Sequence, residues 1–532
     1  MKPVMPTCQN EKLEKIIPER LTAGKVYRDF DRIINYVEDW IEKQNPRVSS
    51  CDGSHVKARI IQRIVEITNA EYAKKTAANA DKLASQSSLA PPFFVAGGLE
   101  VNSETGIVSV SLKQWFLHIG LFMVTWLHML LHLVIAIFKR GQEESVPTTI
   151  LMEAGGGYEE CDERFVRFCR LGPIAPLSSA HMVIVRTVNV PNKLTDPSFC
   201  YVKHPIPHLV NTRLQRYHRV LLIAQHLLAP IIFLRALWVC PISILLARDI
   251  AYVPMVSWLD KKSLIESIVV TTSAFMSQPL WMKGLYGQRF KLHMVWYSQN
   301  FMPKVYVGEQ IRSSLPSARH MRVDVHWVWT EGFKTYLGSL GQKSQVNVVG
   351  PILWYLPDKT IEASSECLKI AVFDITPLPD EAQPFGAIKN YYSVATIQKF
   401  ITDIVDACKH IEEISGKQIL ILLKHKRKPK VGHHSSQYLK FIESIENNNP
   451  NFKLIDNQVN LFGLLEKCEI SISVPYTSTA YIAAKLEKHA IYYDPFSELI
   501  PMYEINKFVH FASGQSELAM LLDKHLKNDR RI

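Results

Sequence analysis

Three consecutive hydroxyls, Thr477, Ser478 and Thr479, open a helix-forming run at 480–486, directly after the strand-like ISISV at 470–474. At such a helix start, N–H groups lacking intrahelical partners meet the positive end of the dipole, which suits a phosphate or diphosphate. An ordinary N-cap uses the same residue types, so both readings stand on sequence alone. Lys424, Lys426 and Arg427 leave the apolar run QILILL at 418–423. That places cations where a strand ends, although a basic run also serves as a solvated loop. In a parallel sheet all carboxyl ends share one edge, so the cations and the hydroxyls can converge on one anion. Pro475 and Tyr476, in the turn before the hydroxyls, and Asp494, at the end of the next strand, complete this candidate donor site. Asp374, at another strand end, suits a sugar or ribose hydroxyl, or the cap of the following turn. Glu153 and His326 are candidates, by position, for a base that takes the acceptor proton; each also fits a structural role.

The elements that must position these groups alternate along the chain. Strand and helix patterns follow one another from 368 to 494 in the order βαβαβαβα, which predicts a Rossmann-like domain with a parallel sheet over 366–532. Strand patterns at 148–153, 181–186, 267–273, 291–297, 323–329 and 346–351 predict a second such domain over 146–353. Its first strand runs into AGGG at 154–157, a glycine turn without G-x-G-x-x-G spacing that suits a nucleotide or an acceptor equally. Residues 354–365 read as the linker between the domains, and 90–106 as a loop-rich connection.

Residues 1–145 read as a helical region ending in WFLHIGLFMVTWLHMLLHLVIAIF at 115–138, with no formal charge. That helix is long enough to cross a hydrocarbon layer of ~30 Å, or to lie within one leaflet. His128 and His132 share one of its faces at a spacing that a metal or haem could use; contact with a neighbouring helix or headgroups is the favoured reading. The apolar region 213–248 is broken by Pro230 and Pro241 and carries Arg235 at its middle, with Arg213, Arg216, Arg219 and Arg248 at its fringes. It is expected to rest in a membrane interface with its arginines reaching headgroups, in preference to forming a buried helical pair.

A net charge of +11 on 532 residues asks for anionic partners. No zinc-finger, RRM or KH signature is present, so lipid headgroups and nucleotides are favoured over nucleic acid. Nine scattered cysteines without a C-x-x-C pair fit a reducing compartment. The polar N-terminus lacks the apolar core of a secretory signal, so cytosolic exposure is expected. The D-x-D at Asp29 and Asp31 falls inside a helical pattern rather than at a strand end, so no metal site is expected.

The block VPYTSTAYIAA at 474–484 with YYDP at 492–495 resembles the bacterial surface-polysaccharide biosynthesis proteins named for a P-F-T-S motif. VFDITP at 372–377, LLKHKRKP at 422–429 and VHWVWTEGFKTYLGSLG at 325–341 ahead of NVVGP support it, the last of these resembling the join between the halves of a GT-B-type glycosyltransferase. Tyr476 stands where the family has Phe, which keeps the ring and adds a hydroxyl. The resemblance implies a metal-independent, membrane-associated transferase at the cytoplasmic face of a bacterial inner membrane, monotopic or single-span. Its donor would be a nucleotide-activated sugar held by the C-terminal domain, used as a co-substrate without a further cofactor. Its acceptor would be a lipid-linked or growing glycan on the N-terminal domain. Transfer of a polyol phosphate from a CDP-activated donor and a non-catalytic scaffold of a polysaccharide assembly machine are the alternatives.

Overall fold

A computed structural model describes residues 56, 58–63, 93–96, 99–102, 108–138, 147–152, 159–171, 181–186, 199–239, 241–271, 278–283, 287–298, 305, 307–308, 319–352, 367–377, 393–425, 434–501 and 507–528. A short antiparallel meander, β1 (Phe93–Ala96), β2 (Leu99–Asn102) and β3 (Val108–Val110), occupies the stretch expected to be loop-rich. Its strands are only three or four residues long, too short for a periodic signal to stand out. Helix α1 (Leu112–Phe138) follows.

The first domain carries seven parallel strands: β4 (Thr148–Met152), β5 (His181–Val185), β6 (Phe199–Val202), β7 (Ile265–Val270), β8 (Lys291–Val295), β9 (Val325–Val328) and β10 (Gln345–Val348). Their spatial order is β6-β5-β4-β7-β8-β9-β10. Neighbouring residues of one strand leave for different cores. Ile150, Val183 and Val270 pack with α1 residues Met129, Leu133 and Ala136, whereas Leu151, Ile184 and Val269 face the opposite way. Burial on both faces is what a parallel sheet requires, and it explains the near-continuous apolar runs. Helix α2 (Glu159–Leu171) follows β4.

Between β6 and β7 the chain forms α3 (Pro205–Arg213), α4 (Arg216–Leu227), α5 (Ala229–Val239), a 3-10 turn (Pro241–Leu246) and α6 (Ala247–Lys261). The breaks fall beside Pro230 and Pro241, as expected, because proline removes a backbone donor. Among the described residues, three stretches are long and apolar enough to cross a membrane: Leu112–Phe138, Arg216–Trp238 and Pro241–Lys261. The first two are only 22% covered by protein and the third is 61% covered. The buried residues of α1, at 118, 122, 129, 133 and 136, form one stripe. Phe116, Val124 and Leu131 stand outside it, exposed, as do Leu228, Ile231 and Trp238 on the α4–α5 side.

Arg219 corrects one expectation. It is fully buried, and its guanidinium donates to the carbonyls of Leu214 and Asn211 (2.6 and 2.9 Å) and of Ala136. Ala136 lies in the last turn of α1, where carbonyls have no intrahelical partner and the dipole is negative. Arg219 therefore closes the end of α1 instead of reaching headgroups. From the N-terminal region, Ile60 and Ile61 pack with Phe233 and Ile242, and Arg59 pairs with Asp249 at 2.8 Å. The helical pattern holding Asp29 and Asp31, the 154–157 glycine turn and the 354–365 linker lie outside the described residues.

The second domain holds β11 (Leu368–Phe373), α8 (Val394–Ser415), β12 (Ile419–Lys424), α9 (Ser436–Asn448), β13 (Phe452–Ile455), α10 (Leu461–Glu466), β14 (Ile470–Ser473), α11 (Ser478–Lys485), β15 (His489–Asp494), β16 (Val509–Ser513) and α12 (Gln515–Asn528). It follows α7 (Glu331–Ser339) of the first domain. The six strands are parallel in the order β13-β12-β11-β14-β15-β16. Both sheets therefore place their first strand inside and reverse direction once, between β4 and β7 and between β11 and β14. Those reversals open crevices at the carboxyl ends, where α/β sheets bind ligands. The expected class, two parallel Rossmann-like α/β domains with a helical region and apolar helices, is the observed one.

Candidate functional site

The reversal in the second sheet is flanked by the loops after β11 and β14, and the second of these holds the hydroxyl-rich turn. Val474 extends the ladder, its N–H donating to Phe373 O at 3.2 Å, and Thr477 N–H closes a turn on Val474 O at 3.3 Å. Tyr476 makes that turn with φ of +64°. A non-glycine residue there costs on the order of 1 kcal/mol and persists only when its surroundings hold it. The hold is visible: the ring is 3% exposed, its centroid lies 5.8 Å from Tyr492 and 6.3 Å from Phe511, and its hydroxyl donates to Ile500 O at 2.9 Å.

Thr477 is the residue before α11, yet its side chain accepts no N–H from that helix. Its hydroxyl instead donates back to Val474 O at 2.8 Å and lies 3.1 Å from Thr479 Oγ1. Elsewhere in this chain Thr330, Ser393, Ser435 and Asn460 all cap their helices by accepting from backbone N–H groups. The side-chain capping bond is absent at the start of α11, which follows β14 at the crevice, as it is at the starts of α3, α4 and α6. Ser478 looks across to the first domain, its Oγ 3.4 Å from Ser298 Oγ beyond the end of β8. Thr477, Ser478 and Thr479 are all half-buried, and Pro475 behind them is buried.

On the other side of the crevice, Asp374 follows β11 and is buried. It accepts from the Tyr438 hydroxyl, and His425 Nδ1 lies 3.4 Å from it. Tyr438 Oη is also 3.2 Å from His425 Nδ1, so three buried polar groups close one triangle. Burial and the neighbouring Asp374 carboxylate push the Tyr438 hydroxyl well above its ordinary range, which keeps it a donor. Asp374 is therefore engaged with protein groups. Two further hydroxyls, Thr376 Oγ1 after β11 and Ser473 Oγ at the end of β14, are buried and have no hydrogen-bond partner among the described residues.

The cations and the hydroxyls leave the same edge of the sheet, but Lys424 does not turn toward the helix start. Its Nζ donates to Asn457 O at 3.0 Å, in the loop after β13, on the far side of β12 from the crevice. Register sets Lys424 and Ser473 on either side of β11, two strand spacings or about 10 Å apart. Burial pushes the Lys424 ammonium down to about 8, with Asp456 pulling the other way. Lys426 and Arg427 lie outside the described residues, as does Glu153.

Asp494 ends β15, and its carboxylate accepts from the N–H groups of Phe496 (3.2 Å) and Leu499 (2.7 Å). Burial raises its pKa, and those N–H groups offset part of the rise. Asp494 thus organises the loop to Ile500. That loop receives Tyr476, donates from Ile500 N to Val305 O (2.8 Å), and accepts at Glu498 O from Val307 N (2.8 Å). One loop therefore ties the turn before α11 to the first domain. His326 sits inside β9 with no exposure, its Nδ1 accepting from Trp296 Nε1 at 3.1 Å. Burial pushes it down to about 3. It is enclosed in the core, without access to an acceptor.

His425, Tyr438 and Ser298 are the site-lining residues that sequence patterns do not single out. His425 sits between two lysines of the basic run, and only alternation along the strand end hints that it faces differently from Lys424.

A family model described as polysaccharide biosynthesis PFTS motif protein matches residues 232–522. Among solved structures, similarity extends to a sucrose-phosphate synthase from Thermosynechococcus elongatus, at 10% identity and a TM-score of 0.40 over 72% of this chain and 89% of that one. A lipopolysaccharide outer core galactosyltransferase in its apo form matches at 9% identity and 0.38, over 72% and 91%. A variant of the wall teichoic acid polymerase TagF matches at 10% and 0.35, over 72% and 81%. A search of curated proteins finds no match.

Proposed function

We propose a function on a fixed premise: the chain belongs to the polysaccharide biosynthesis PFTS motif family. On this reading it transfers a sugar from a nucleotide-activated donor to a lipid-linked or growing glycan at a membrane surface. The observation that carries the reading is the α11 start, placed at the sheet reversal, lacking its side-chain cap and opposed by Ser298 across the crevice. A departing nucleoside diphosphate gains charge as the glycosidic bond to it breaks. Directed N–H groups, the helix dipole and the hydroxyls of Ser478 and Thr479 stabilise that charge in a water-poor crevice, without requiring a metal. Lys426 and Arg427 would supply cations from the neighbouring loop, whereas Lys424 supports β12 and β13. Asp374, fixed by Tyr438 and His425, would shape the wall of the nucleotide pocket. Glu153, which follows β4 in sequence at the first domain's own reversal, is the candidate base toward the acceptor.

Membrane association rests on α1 and the α4–α5 pair, whose outward faces are apolar and uncovered. A helix apolar all round belongs in a protein core or in lipid. Because one stripe of α1 packs on the first domain, we favour a chain resting on the cytoplasmic leaflet of a bacterial inner membrane.

Titration calorimetry of the detergent-solubilised chain with UDP, GDP, CMP, CDP and dTDP tests the donor site. One nucleoside diphosphate is expected to bind, and Ser478→Val to weaken it about tenfold or more. Failure of all five to bind refutes the reading and leaves a scaffold. Phosphorus retained in the product would replace glycosyl transfer by polyol-phosphate transfer.

A further inference from the structure

Three histidines meet at the edge of the second sheet opposite the α11 crevice. His489 opens β15, His510 is the second residue of β16, and His525 reaches them from α12. His489 Nδ1 lies 3.1 Å from His510 Nε2. The His525 ring centroid is 4.0 Å from that of His489 and 4.4 Å from that of His510. One potential ligand nitrogen from each residue falls within 4.8 Å of the other two. All three side chains are half-buried, and Nε2 of His525 is enclosed without a hydrogen-bond partner.

That grouping is hard to explain as packing alone. The close His489–His510 contact is satisfied by one N–H, whereas Nε2 of His525 is buried beside this group without a hydrogen-bond partner. A metal ion would use one nitrogen from each ring, since imidazole nitrogens are its commonest protein ligands. Tetrahedral coordination with metal–nitrogen distances of about 2.0–2.1 Å sets the nitrogens roughly 3.3 Å apart. One pair already has nearly that spacing, and all three ligand atoms lie within 4.8 Å of one another.

We propose that His489, His510 and His525 form a binding site for a divalent transition-metal ion of the zinc class, with water in a fourth position. The site lies at the amino ends of β15 and β16, away from the crevice, so the metal takes no part in transfer. It fastens α12 to the edge of the sheet. The apolar stripe Leu518, Leu522 and Leu526 holds the other side of this helix to the core.

The test uses the untagged full-length chain, stripped with EDTA. Titrated Co2+ is expected to give the visible d–d bands of a tetrahedral site and to saturate at one equivalent, with Zn2+ displacing it. At Zn2+ about 100-fold above its Kd, the second domain's Tm is expected to rise by roughly 5–10 °C. His510→Gln and His525→Gln should each weaken binding by about 100-fold, while His410→Gln, exposed on α8, leaves it intact. Absence of the cobalt bands, an unchanged Tm with Zn2+, or binding that survives in the His510→Gln/His525→Gln chain overturns the proposal. The wild-type melt with and without metal needs no variant, so a variant that fails to fold does not shield the idea.

Discussion

Replacing Tyr476 by Phe restores the family's own motif and removes one hydroxyl, which makes its effect calculable. The hydroxyl donates to Ile500 O at 2.9 Å, away from the α11 start, and belongs to the tie that continues through Ile500 N to Val305 O. A buried hydrogen bond contributes about 1 kcal/mol net, rising toward about 3 kcal/mol when the abandoned partner stays dry. Ile500 is 41% exposed, so water can reach its carbonyl and the lower figure applies. The ring stays packed on Tyr492 and Phe511, so no cavity term is added. For a domain of this size about 1 kcal/mol lowers Tm by roughly 2–4 °C. Scanning calorimetry should show that loss, and titration calorimetry a nucleotide Kd within about threefold of the parent. An unchanged Tm together with a tenfold weaker Kd would place the hydroxyl on the ligand and refute this reasoning.

Lys424→Met tests the buried ammonium. Its pKa falls from 10.5 to about 8 on folding, so between those values the unfolded chain holds more protons and stability rises with pH, while below 8 the full penalty of about 3 kcal/mol persists. The variant should be more stable at pH 7 by roughly 1–3 kcal/mol and lose that slope, allowing for the lost bond to Asn457; urea titrations at pH 7 and 9.5 decide, and a less stable variant contradicts the assignment. Tyr438→Phe removes a donor from the buried Asp374 carboxylate and should cost about 2–3 kcal/mol in urea denaturation; no loss would mean that the triangle is not formed. Ile231→Asp with Trp238→Asp puts charge on the exposed α5 face and should abolish flotation with anionic vesicles; flotation at the parent level would exclude that face as the docking surface.

Much of the fold is legible because both sheets are covered on two sides. Leu368–Phe373 and Ile419–Lys424 are apolar except for Lys369 and Lys424, and such runs, set between helices with clear starts, specify a parallel sheet. β6 and β16 are harder: Phe199–Val202 is four residues long, and Val509–Ser513 is an edge strand with half-buried, partly polar residues. The stripe of Leu518, Leu522 and Leu526 does mark α12 in the sequence, at a spacing of four. The hydroxyls at 477–479 are correctly placed by pattern, because a strand followed by a helix fixes its turn at the carboxyl edge. What pattern does not fix is which way a strand-end side chain turns. Lys424 turns outward to Asn457, and Asp374 finds Tyr438 some 64 residues later; both are long-range choices made by packing. Arg219 shows the same limit. An arginine at the fringe of apolar helices reads as a headgroup contact, yet the carbonyl of Ala136 at the end of α1, with those of Asn211 and Leu214, captures it.

The central claim is that a nucleoside diphosphate sits on the α11 start, between the two domains. Hydrogen–deuterium exchange of the chain, with and without the nucleotide it binds, tests this residue by residue. The account predicts slowed exchange at 474–480, together with the segment around Ser298, and little change at 489–525. Protection confined to another edge, or none at 474–480 under saturating nucleotide, would contradict it.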